Sequence, residues 1–182
     1  LTHTHLSCLL NAMIGNNLNY TDIKEVQVTC FAQAYDILFD PTKYRPESRE
    51  TADHSLPYCL AAAMVDKKIT TESFSDEKLN DPRIYEVIDK IKGQPSQEFE
   101  KMFPAKQPSK VVVTTNDGRQ FEEYLEYPKG DPREPMTMDD LENKFNSLVG
   151  DKLNDDQKKQ LKNTIFNCEE MSANDFMTAL NI

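Results

Sequence analysis

Residues 110–127 read KVVVTTNDGRQFEEYLEY, and this stretch decides the fold class. β-Branched residues fill the first arm, and Asn116-Asp117-Gly118 supplies a tight turn, since Gly118 accepts positive φ at little cost. Two antiparallel strands follow from that turn. Upstream, in KEVQVTC (24–30), Val26, Val28 and Cys30 alternate with polar residues, the pattern of a half-buried strand. Val26, Val28 and Cys30 are expected to share one antiparallel sheet with Val111, Val113, Phe121, Glu123 and Leu125.

Helical patterns surround these three strands. Leu6, Leu9, Leu10 and Met13 recur at helical spacing, with Gly15 as a stop. Leu56, Cys59, Leu60, Ala63 and Met64 form a second stripe, behind Ser55 as N-cap and Pro57 in the first turn. PRIYEVIDKI, from Pro82, reads as another amphipathic helix, and Thr70 or Thr71 through Phe74 as a short helical turn. Residues 40–54 hold Pro41 and Pro46 without a period and read as a loop. The segment KGQPSQEFEKMFPAKQPS, broken by three prolines, reads as a connection with at most one or two helical turns. Three helices close the chain, with Thr137, Asn154 and Ser172 as N-caps. The fold class is therefore α+β, a two-layer sandwich of a small antiparallel sheet and helices, with C-terminal helices.

Composition narrows the function. Hydrophobic residues make up 38% and charged residues 29% of the 182, the balance of a globular domain. A formal net charge of −10 argues against nucleic-acid binding, which needs a basic face. No apolar run approaches the roughly 20 residues that span a bilayer, so no membrane partner is expected. Leu1 is not an initiator methionine, and the chain reads as cut from something longer. Cys8, Cys30, Cys59 and Cys168 show no metal-ligand spacing; the first three sit in apolar patterns, as small core hydrophobes in a reducing compartment.

One acidic-chain anomaly stands out. In RPESRETADHSLPY (45–58), Arg45, Arg49 and His54 crowd the approach to a helix N-terminus. A helix start presents unpaired N–H groups, and guanidinium forks suit carboxylates. The stretch is either half of an anion-binding site or a solvated loop whose arginines pair with Glu47, Glu50 or Asp53. Tyr58, on the first turn, either faces that site or is a partly buried tyrosine with its hydroxyl paired. His3 and His5 form an H-x-H that lacks a third ligand, so no metal is assigned.

ETADHSLPYCLAAAMVD with KITTESF resembles the signature stretch of the MmgE/PrpD family, in the wording of its 2-methylcitrate dehydratases rather than its cis-aconitate decarboxylases. THTHLSCLLNAM, DIKEVQVTC and VVVTTNDGRQFEEYLEYPKGDPREPMTMDDLENKF extend the likeness over effectively the whole chain. The resemblance implies an α+β lid over residues 1–135 and, at 136–182, helices that pack on a helical domain not contained in this sequence. It implies a cofactor-free hydro-lyase that removes water from 2-methylcitrate in propionate catabolism, and a homodimer in the intact enzyme. The implied setting is the cytoplasm, or the mitochondrial matrix in a eukaryote. The proton-transfer residues proposed for the family lie largely in the helical domain, so this chain alone is expected to be inactive. By resemblance, His54 and Tyr58 are the candidate catalytic positions, and Asp53 and Ser55 line the cleft. Arg45 and Arg49 are candidate clamps for a tricarboxylate, and His3 and His5 candidate contacts at the domain junction.

Overall fold

The computed structural model describes residues 1–150 and 152–181. The chain divides into two compact units, Leu1–Pro135 and Met136–Ile182.

The first unit is organised by a four-stranded sheet, β1 (Ile23–Cys30), β2 (Ile91–Pro95), β3 (Ser109–Thr115) and β4 (Gln120–Leu125), in the order β2-β1-β3-β4. The hairpin β3–β4 pairs Val113 with Phe121 and Val111 with Glu123, and Gly118 turns at φ +88°. β1 lies antiparallel to β3, with Val26 opposite Val113 and Val28 opposite Val111. The expected antiparallel sheet is thus present, but it is not the whole sheet. β2 runs parallel to β1, placing Val26 beside Ile91 and Val28 beside Gly93. The sheet is mixed, and the strand lies where a helix tail and a connection are expected. Ile91 falls in phase with the preceding helical stripe, while Gly93 and Pro95 depress strand propensity. As an edge strand, β2 tolerates Pro95.

Helices cover one face of this sheet. α1 (His3–Gly15) packs on β3 and β4; α2 (Ala32–Leu38) and α3 (Arg49–Asp53) precede α4 (Leu56–Asp66), which packs on α1, α6 and β2. α5 (Asp76–Leu79), α6 (Pro82–Ile88) and α7 (Gln97–Met102) complete the unit. Alternate residues of β3 are buried (Ser109, Val111, Val113, Thr115), and those between them are only half-buried, as a two-layer arrangement requires. Ala61, Ala62 and Ala63 are fully buried, and their small side chains let the backbone of α4 approach its neighbours. Cys8, Cys30 and Cys59 are core residues as expected; burial pushes their thiols up, Cys8 to about 11 and the other two to about 12. Phe39 covers Gly93 so closely that a Cβ there would lie 2.6 Å from its ring.

In the second unit, α8 (Met138–Val149), α9 (Asp155–Phe166) and α10 (Ala173–Ala179) start at the expected N-caps. Thr137, Asn154 and Ser172 each accept a hydrogen bond from the backbone N–H three residues on. Among the described residues of this unit, only Thr164 is buried.

Candidate functional site

The segment 40–54 is more ordered than its prolines suggest. Pro41–Tyr44 forms a 3-10 turn capped by Asp40, and α3 starts from a reciprocal cap between Ser48 and Thr51. Thr51 N–H donates to Ser48 Oγ at 3.2 Å, and Ser48 N–H to Thr51 Oγ1 at 3.0 Å. The loop expectation is corrected here: with Ser48 doing the capping, five residues complete a helical turn, too short to show a period. His54 ends α3, and Ser55 begins α4 directly afterwards.

Ser55 is the hinge between the surface and the core. Its Oγ accepts from Tyr58 N–H at 3.0 Å and donates to the Lys43 carbonyl at 2.6 Å. Ser55, Leu56, Pro57 and Tyr58 are all buried. The start of α4 is therefore closed by its own serine, and Pro57 offers no N–H. An anion has no open donor there, which removes the helix terminus from the anion site that the sequence suggests.

Tyr58 is a core residue with 0% exposure, and its hydroxyl donates to the Ser73 carbonyl at 2.9 Å. Burial raises its pKa, so it stays a neutral donor. Of the two readings of Tyr58, the geometry matches the tyrosine with a paired hydroxyl, buried completely rather than in part. His5 is likewise buried, 1% exposed, with Nδ1 2.5 Å from Ser109 Oγ. Desolvation, the main cause, lowers its pKa to about 3, so the ring is neutral at physiological pH. His3 lies exposed on the same helix. Among the described residues there is no cluster of three or more His, Cys, Asp or Glu side chains placed to hold a metal.

What remains at the surface is a group of basic side chains interleaved with acids. Arg45 donates to Asp89 Oδ2 at 2.7 Å and to the Tyr44 carbonyl at 2.6 Å, and its guanidinium lies 5.5 Å from the Tyr85 ring centre. That pairing raises the Arg45 pKa and lowers that of Asp89. Arg45 is thus already engaged, with a partner from α6's C-terminal end rather than from its own loop. Arg49, the first residue of α3, is exposed and makes no ion pair with any described residue. His54 is 68% exposed along its side chain. Its Nδ1 lies 3.0 Å from the Glu50 carbonyl and in hydrogen-bond contact with the Asp53 carboxylate. The Glu50 carbonyl and then Asp53 raise the pKa of His54, opposed by desolvation and by Lys43. Arg49, Asp53 and His54 therefore share one exposed short helix, while Ser55 and Tyr58 anchor it from below. Such a group can hold a carboxylate and present a proton donor; the carboxylate of Asp53 is engaged by His54.

The family model of the MmgE/PrpD C-terminal domain matches residues 1–169. A cis-aconitate decarboxylase of Mus musculus is 27% identical over 135 residues, covering 74% of this chain and 28% of that protein. A cis-aconitate decarboxylase of Aspergillus terreus is 24% identical over 159 residues, covering 86% of this chain and 32% of that protein. The 2-methylcitrate dehydratase-like protein oryR of Aspergillus oryzae is 28% identical over 134 residues, covering 69% of this chain and 27% of that protein. The chain spans about a third or less of the length of these curated relatives. With its α+β sheet unit and a family match over nearly all its length, this chain belongs to the MmgE/PrpD family, of which it is a C-terminal domain.

Proposed function

We propose that this chain is the lid part of a lyase that acts on a small tricarboxylate without a cofactor, with 2-methylcitrate dehydration as its reaction. The observation that carries the reading is the exposed pair Arg49 and His54 on α3, fixed to the core through Ser55 and Tyr58. Loss of water beside a carboxylate needs a base for the proton, an acid for the departing hydroxyl, and positive groups for the developing enolate. The lid supplies the last of these and a proton donor; the remaining acid/base groups would come from a helical domain of the same longer protein. The second unit fits that arrangement. Its amphipathic α8 leaves Met138, Leu141 and Leu148 exposed, and a cleft of about 500 Å³ opens between α8 and α9. That apolar surface would meet the helical domain, and two such proteins would form the homodimer.

A second reading is decarboxylation of cis-aconitate, favoured by several relatives that are cis-aconitate decarboxylases. Both reactions require bound carboxylates and a stabilised carbanion-like intermediate, so the lid serves either. The test is to supply the full-length protein with 2-methylcitrate and cis-aconitate in parallel, measuring unsaturated product from the first and carbon dioxide from the second. Product from 2-methylcitrate, reduced about 10²-fold by His54→Ala, is the expected result. Carbon dioxide release alone selects the second reading, and turnover of neither substrate overturns both.

A further inference from the structure

Two acceptors converge on one nitrogen of His54. The Asp53 carboxylate and the Glu50 carbonyl, both on α3, contact Nδ1, and neither can donate a hydrogen bond while Asp53 is ionised. Nδ1 must therefore carry a proton in both charge states of the ring. The choice of tautomer is made by the partner of the other nitrogen. Nε2 hydrogen-bonds to no described residue, and the ring is 68% exposed. The charged groups around it are Asp53 on its own helix and Lys43 from the preceding turn.

We propose that Asp53 is a positioning residue rather than a substrate contact: with the Glu50 carbonyl it fixes Nδ1 as a donor, so that Nε2 is the working nitrogen, presented in the protonated ring as an N–H to an anionic oxygen of a carboxylate ligand. The backbone enforces the arrangement. His54 caps the C-terminal end of α3, where its ring returns to the carbonyl four residues earlier, and the buried Ser55 prevents the chain from moving away. Cys59 Sγ, 3.9 Å from the Asp53 carbonyl, ties the same turn to α4. A carboxylate engaging Nε2 would meet a charge-assisted donor, with Arg49 on the same short helix as a second cation. This deepens the proposed function and rests on its assignment of α3 to the site, but the geometry of the dyad can be tested without any turnover.

The experiment uses the intact protein labelled at histidine with heavy nitrogen, the His54 signals being identified by their loss in His54→Gln. The neutral ring is expected as the Nδ1–H tautomer, and Asp53→Asn is expected to shift its titration to lower pH. Asp53→Glu, which keeps the charge, is expected to restore part of that shift and guards against a variant that fails to fold. A neutral Nε2–H tautomer, or a titration unmoved in Asp53→Asn, overturns the proposal. In kinetics, activity that needs the Nε2 proton falls as pH rises, and Asp53→Asn is expected to move that descending limb down. An active enzyme whose limb stays in place overturns the role of Nε2, even with the tautomer as expected. If neither substrate is turned over, the proposed function fails, while the nitrogen spectra still decide whether Asp53 sets the ring.

Discussion

The two units solve the problem of apolar surface in opposite ways. In Leu1–Pro135, α1 and α4 pack on the sheet, α6 packs on α4, and every buried apolar residue among those described lies in this unit. In Met136–Ile182, three well-capped helices leave Met138, Leu141, Leu148, Ile165, Phe166 and Met177 between 45% and 66% exposed. Caps define where helices begin, but burial decides whether they are worth forming. The second unit has the local signals without the core.

The comparison is broken most directly by the same change made in each unit. Leu60→Ala, at a fully buried site on α4, is expected to destabilise the chain by about 2–5 kcal/mol in urea unfolding. Leu141→Ala, 45% exposed on α8, is expected to stay within about 0.5 kcal/mol. Equal losses would mean that the second unit buries a core after all. A smaller effect tests the closeness of packing in the first unit. Gly93→Ala drives a methyl group into the Phe39 ring and is expected to cost about 1–3 kcal/mol in the same measurement.

His5 sharpens the comparison through pH. Its pKa is about 3 when folded and 6.5 as a free side chain, so above 6.5 neither state is protonated and there is no effect. As pH falls below 6.5, the unfolded chain takes up a proton that the folded chain refuses. Stability is then lost at about 1.4 kcal/mol per pH unit, levelling off once the folded ring also protonates. Urea midpoints across this range should show the slope, and His5→Gln should remove it. The smallest structural effect is expected at the site itself. Arg49→Ala should leave the unfolding midpoint unchanged and, in the full-length protein, raise KM with little change in kcat, as loss of uniform carboxylate binding does.

Much of the architecture was legible because it is written locally. Asn116-Asp117-Gly118 encodes a hairpin, the stripe from Leu56 to Met64 a buried helix, and Thr137, Asn154 and Ser172 three helix starts. β2 was not legible, since its only anchoring partner is β1, sixty-odd residues away along the chain at Val26–Ile91 and beyond. The five-residue α3 was hidden for the opposite reason, being little more than one helical turn and too short for a period to repeat. At the candidate site, Arg49, Asp53 and His54 are neighbours in sequence and lie on one exposed helical turn, but the sequence cannot separate Tyr58 and His5 from them. Both are polar residues drawn into the core by single hydrogen bonds, to Ser73 and Ser109, that no spacing announces. Nor does it reveal that Asp89 has taken Arg45.

The parallel pairing of β1 with β2 makes residues 31–90 a closed excursion that leaves one strand and returns on its neighbour, about 4.8 Å away. Only β3 and β4 are joined by a short turn; β1 must find β2 and β3 across long loops whose closure costs entropy before any contact rewards it. Such a topology orders the steps of folding, local hairpin first and central strand late. In refolding followed by pulsed hydrogen exchange, the β3–β4 amides should gain protection before those β1 shares with β2, and simultaneous protection would refute that order. The excursion carries Arg49 and His54, so the turn that bears them is joined to the sheet at both ends, through β1 and β2.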